Sequence, residues 1–331
     1  MDNSGFREFL KTRKLDDATI EQSVEVVEWF ESFLQQPEQG GSGSLVSADR
    51  TDVLSFMSIL IGEEQNSLDN ILTLARYGLY IGNNALQASA LELIDGEEAM
   101  RNLHTKLAAE LGEAVRNRVF EGLELPALGT SPTDRARLNR TVMDRLEDEV
   151  EEATCRELLS DSLRDLPETW YRGLKETYEA AGSFDEFLEQ KRANFIAELE
   201  DLRDSGKLFF TQEITDEVVD FVKQHPEISA GVREGRILYE VKIPYMADAY
   251  IKEDDEQAKR YLYCHCPWAR ETLRMGESPV SPTFCQCSAG YHKRPYELIF
   301  GRKLKAEVVE SVLAGDPWCK FAIHLPEDIA L

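Results

Sequence analysis

Residues 236–243 read Arg-Ile-Leu-Tyr-Glu-Val-Lys-Ile, and the chain changes character there. Ile237, Tyr239, Val241 and Ile243 occupy alternate positions, the period-two pattern of a strand with one buried face. Before this stretch the apolar residues recur at helical spacing, as in Ile20, Val24, Val27, Phe30 and Leu34. After it, residues 261–266, 303–313 and 319–325 read as strands, and residues 267–275 and 286–300 as helices. Pro295 is expected to bend or restart the second of those helices. The expected fold class is α+β: a largely α-helical N-terminal region, then a C-terminal mixed α/β domain with an antiparallel sheet.

Working outward, residues 39–44 (Gln-Gly-Gly-Ser-Gly-Ser) have the composition of a flexible linker. Residues 125–132 carry two prolines and break the helical pattern. The expected division is an N-terminal helical segment over 1–39, a helical domain over 46–130, an acidic helical region over 135–230 and a cysteine-rich α/β ligand-binding domain over 236–331. Within the acidic region, Ser183 and Glu186 fit a capping box, and His225-Pro226 stops a short helix.

The 331 residues carry 37 basic and 62 acidic side chains, a net charge of −25. Such a chain repels nucleic acid and anionic membrane. The apolar stretches are too short to span a bilayer and the N-terminus has no signal-peptide pattern, so a cytoplasmic protein is expected. The charge is uneven. Residues 146–204 sum to −11, whereas residues 258–305 sum to +6.

That basic segment holds the chemistry-bearing residues. Cys264-His-Cys266 is followed after eighteen residues by Cys285-Gln-Cys287, and Cys319 adds a fifth sulfur. In a strand, positions i and i+2 share a face; in a helix they diverge by about 200°. Extended CxC pairs could therefore present four thiolates to Zn²⁺, the expected cofactor, with Glu310, His265 and His292 as additional candidate ligands. An iron–sulfur cluster fits the CxC spacing less well. Neighbouring cations would favour thiolate. Free core thiols and a nucleophilic cysteine are the competing readings; lone Cys155 reads as core. Trp268, Arg270, Phe284, Tyr291 and Trp318 surround the cysteines in sequence, either as core or as the lining of a ligand pocket. Glu310 interrupts the apolar row Leu304, Ala306, Val308 and Val312, and as an inward carboxylate it needs a partner.

Residues 287–301 (CSAGYHKRPYELIFG) and 308–323 (VVESVLAGDPWCKFAI) resemble the end of 4-vinyl-reductase domains. The same region is similar to the L-2-amino-thiazoline-4-carboxylic acid hydrolase family and to an uncharacterised microbial family with cysteine-rich C-termini. The resemblance covers about residues 236–325. It implies a small, often dimeric α/β ligand-binding domain, 4-vinyl-reductase-like, with zinc held by cysteines and a glutamate beside the pocket. Cys319 matches the family's final cysteine and Glu310 lies near its glutamate, but Ser311 stands where the family has its middle cysteine.

The expected function is a zinc-binding, small-molecule-binding protein whose ligand is a small anion, with a homodimer as the expected assembly. The alternatives are a hydrolase using zinc-bound water or a cysteine thiolate, and an acidic protein–protein adaptor. The sequence contains no GxGxxG, P-loop, HExxH or GxSxG motif.

Overall fold

The computed structural model describes residues 2–36, 41, 43–275 and 279–329. The linker expected over residues 39–44 falls, at 39, 40 and 42, outside the described residues, as does residue 278 at the start of an expected loop. Contacts group the chain into two units. One comprises Met1–Glu97 and Pro126–Arg135; the other comprises Glu98–Leu125 and Ala136–Leu331. The helices after Glu98 thus share a unit with the C-terminal sheet.

The first unit holds α1 (Asn3–Thr12), α2 (Asp17–Leu34), α3 (Arg50–Gly62), α4 (Leu68–Ile81) and α5 (Asn84–Ile94). The side chains of Asp2, Asp16, Asp49, Ser67 and Asn83 each cap one of these helices by accepting a first-turn N–H. Phe6, Phe30, Phe56, Leu74 and Leu86 are fully buried in its core.

The second unit begins with α6 (Ala99–Leu111) and α7 (Glu113–Val119). Next come α8 (Pro132–Glu149), whose first residues belong to the other unit, and α9 (Glu152–Ser160). Then follow α10 (Arg172–Ala180), α11 (Phe184–Ser205) and α12 (Asp216–Gln224). Ser183 caps α11 by accepting the Glu186 N–H at 3.1 Å, but the Glu186 carboxylate reaches the Gly182 N–H instead of closing the box on Ser183.

The strands are β1 (Val232–Glu234), β2 (Ile237–Val241), β3 (Ala306–Glu310) and β4 (Lys320–His324). They form an antiparallel sheet in the order β1-β2-β4-β3. Gly235, at φ 59°, supplies the left-handed turn between β1 and β2. A bulge between Val308 and Glu310 turns Val309 outward. Between β2 and β3 lie α13 (Ala247–Lys252), α14 (Glu256–Tyr263) and α15 (Gln286–Phe300). The α+β class holds, with most of the chain helical and one small sheet.

Two local expectations change. Residues 261–266 are not a strand: α14 runs to Tyr263, because Asp255 caps it by accepting the Ala258 N–H at 2.8 Å. Nor does Pro295 interrupt α15, which continues through it to Phe300. Among the described residues, no helix is long and apolar enough to cross a membrane.

Candidate functional site

The polar heart of the second unit lies where α15 covers the sheet. The β2 row carrying Ile237, Tyr239 and Val241 was expected to face the core. Val241 is fully buried, but the residues that meet α15 are on the other row, Glu240 and then Lys242, with Leu238 buried on the same side of β2. On β4, Phe321 is the register partner of Glu240, and Ile323 that of Leu238. On α15, Ser288, His292 and Tyr296 recur at i, i+4 and i+8, one stripe of the helix. Two residues of strand rise about 6.6 Å and four of helix about 6 Å, so the rows keep step. The two polar strand side chains reach the helix: Lys242 meets Ser288, and Glu240 meets both His292 and Tyr296.

Glu240 is the centre. Its Oε2 accepts from His292 Nδ1 at 2.7 Å. Its Oε1 accepts from Lys191 Nζ of α11 at 2.7 Å and from Tyr296 Oη at 2.5 Å. Burial alone would raise the carboxyl. The Lys191 charge and the hydrogen bonds from His292 and Lys191 outweigh it and hold Glu240 at about 2. It is therefore a buried anion. The Tyr296 hydroxyl is held well above its ordinary value by burial and then by that anion. Burial also lowers His292, against the pull of Glu240, so its ring is neutral with the proton assigned to Nδ1. The other nitrogen, Nε2, is buried and has no hydrogen-bond partner among the described residues. Phe321 stacks on the imidazole with ring centroids 4.4 Å apart.

At the open end of the row stands Lys242. Its Nζ donates to Ser288 Oγ at 3.4 Å and lies 5.3 Å from the Tyr291 ring centre and 6.0 Å from that of Phe321. No carboxylate among the described residues pairs with it. The groups that feel its charge include His265, His292, Cys266, Cys285, Cys287 and Cys319. His265 hydrogen-bonds the Ile243 carbonyl through Nε2 at 2.5 Å, and burial pushes it down to about 3.

The cysteines do not form the expected zinc site. Among the described residues, no group of three or more His, Cys, Asp or Glu could hold a metal ion. The metal-binding and zinc readings are corrected, and with them the picture of a cysteine-rich metal domain. The cause is local structure. Cys264 ends α14, so it and Cys266 do not lie on a strand. Cys285 closes a 3₁₀ turn, Pro282–Cys285, and Cys287 lies in the first turn of α15, so their side chains diverge. The Cys285 Sγ meets Ser311 Oγ at 3.2 Å, while the Cys287 Sγ accepts the Leu163 N–H at 3.4 Å. All six cysteines are free thiols.

Nor are these thiols activated. Burial pushes Cys264 and Cys285 well up, Cys266 up to about 12, and Cys287 and Cys319 upward as well. Lys242 pulls four of them down and Arg164 two, but desolvation is the larger effect.

Residues 211–330 match the model of a family of unknown function (DUF6144). No curated protein and no solved structure matches the chain. The matched segment contains the whole sheet, α15 and the Lys242–Glu240 row, and it leaves out Lys191.

Trp268, Arg270 and Phe284 are buried in the core. The Trp268 carbonyl accepts from Asn139 at 3.0 Å, and the Arg270 guanidinium lies 4.0 Å above the Tyr245 ring centre. Trp318 donates to Glu310 Oε2 at 2.7 Å, which supplies the partner that the glutamate needs. The Lys242 Nζ lies over the ring of Tyr291, another of the expected pocket residues. Glu240, Lys191, Lys242, Ser288 and Tyr296 were not anticipated. The signal was present in the row Leu238, Glu240, Lys242 and in the i, i+4, i+8 spacing around His292.

Proposed function

We propose that the C-terminal region binds a small anionic molecule, a carboxylate, at Lys242. The observation that carries this reading is the uncompensated charge. Lys242 is half-buried, has no carboxylate partner among the described residues, and meets the Ser288 hydroxyl and two aromatic rings, while its charge reaches the nearby thiols and imidazoles. A cation withdrawn from water needs a counter-charge, and low local dielectric makes a bound anion count for more. The half-buried Tyr291 ring provides an apolar face for the body of such a molecule.

The test is calorimetric titration of the full chain with acetate, benzoate and phenylacetate. Saturable binding of at least one is expected, weakened about tenfold or more in Lys242→Met. Absence of saturable binding by all three, or undiminished binding in the variant, overturns the reading.

A further inference from the structure

We propose that this site is an acyl-transfer centre, with Ser288 as nucleophile, His292 as general base, Glu240 as the group that orients it, and an ester as substrate. The inference rests on the anion-binding reading of Lys242: the anion it accepts is the oxyanion formed on an acyl carbon, and the bound carboxylate is the hydrolysis product.

Three observations carry it. First, the Nδ1–H of His292 is fixed on a buried, ionised Glu240 at 2.7 Å, which leaves the lone pair on Nε2. Nδ1 and Nε2 lie on opposite sides of an imidazole, so Nε2 points away from Glu240. Second, that nitrogen is buried and unpartnered among the described residues, a costly state for a structural histidine and the state required of a base. Third, Ser288 precedes His292 by one helical turn on the same stripe, and helical side chains lean toward the N-terminus, so His292 leans over Ser288. The Ser288 hydroxyl now meets Lys242 at 3.4 Å. The reaction requires rotation about the Ser288 Cα–Cβ bond, which would bring its hydroxyl from Lys242 to His292 Nε2 and leave Lys242 free to face the oxyanion.

The chemistry balances. The Ser288 oxygen bonds to the acyl carbon while its proton passes to His292 Nε2. The bond from the acyl carbon to the leaving oxygen breaks, and that oxygen takes the proton. Water then attacks the acyl carbon, giving a proton to Nε2. The bond to Ser288 breaks, the serine recovers its proton from Nε2, and the acid formed loses its remaining proton to solvent and is released as carboxylate beside Lys242.

The experiment uses the full chain with 4-nitrophenyl acetate, following nitrophenolate release and mapping any acetyl group by fragmentation mass spectrometry. The expected result is an acetyl group on Ser288, or steady hydrolysis, that is lost in Ser288→Ala. His292→Gln should slow the reaction about a hundredfold or more, and Lys242→Met by a similar factor. Ser288 is half-buried and its replacement by Ala removes one hydroxyl, so Ser288→Ala should keep the wild-type circular dichroism and stay decisive if His292→Gln unfolds. No reaction in the wild type, or acetylation and hydrolysis undiminished in Ser288→Ala, overturns the proposal. Binding of carboxylates without reaction at Ser288 overturns acyl transfer alone; failure of both overturns the binding site as well.

Discussion

Glu240 and His292 are 2.7 Å apart, carboxylate to imidazole Nδ1, in the interior of the second unit. The pair ties β2 to α15, and Lys191 adds α11 to the same carboxylate. One buried charge thus holds three elements that meet only in the folded chain.

Replacing that charge should be expensive. Glu240→Gln keeps the shape but leaves the Lys191 cation without its anion. A loss of about 3–5 kcal/mol is expected, as for a buried pair broken on one side. Urea denaturation of the two proteins measures it. A loss below about 1 kcal/mol would mean that water reaches Lys191 and that the network is not closed.

Stability should also fall on acidification, in two stages. His265 is pushed from 6.5 to about 3 in the folded chain, so the unfolded chain binds the extra proton. Its contribution is complete above about pH 6.5 and falls as pH drops toward 3, by about 2 kcal/mol between 6.5 and 5. Glu240, lowered from 4.5 to about 2, contributes fully above about pH 4.5. That contribution, about 3 kcal/mol, disappears as pH falls through 2. Denaturation series between pH 7.5 and 4 should show the first stage shrink in His265→Gln. A wild type whose stability does not change over that range would refute the His265 assignment, and no further loss between pH 4 and 2 would refute that of Glu240.

The fold was legible where a local pattern and its tertiary setting agreed. The alternation over residues 236–243 gave β2, and the apolar spacing of residues 286–300 gave α15. The misreading at residues 261–266 came from Tyr261, Tyr263 and two cysteines, residues at home in strands. The Asp255 cap, nine residues before Cys264, settles that segment as helix. The zinc reading failed for the same reason, since i and i+2 sulfurs share a face only in a strand. The site itself was half legible. His292 was a candidate, but Lys191 lies 49 residues before Glu240, and nothing in the sequence joins them.

The cysteines should be slow to react. Cys266 is the least buried of the six, and burial pushes its thiol up to about 12. Its alkylation by iodoacetamide at pH 8 should run on the order of a hundredfold or more below that of a free thiol. Cys155, Cys264, Cys285, Cys287 and Cys319 should label only after unfolding. Mass spectrometry of partly alkylated protein reads the order directly, and rapid labelling of any buried cysteine would contradict it.

Gly290 should be intolerant of the smallest side chain. On α15 it faces the end of α9, where an added Cβ would overlap the Ser160 carbonyl oxygen and come within 2.6 Å of the Ser162 nitrogen. Both are backbone atoms and cannot rotate aside. In an exposed helix, Gly→Ala would stabilise by about 1 kcal/mol. Here the overlap must push α15 from α9, breaking the Cys287–Leu163 hydrogen bond one turn away, and overpacking of this kind costs about 1–3 kcal/mol. Gly290→Ala should therefore destabilise despite its better helix propensity. Because α15 also carries Ser288 and His292, the same shift should weaken carboxylate binding at Lys242. A stabilised Gly290→Ala protein would show that α9 and α15 do not approach this closely.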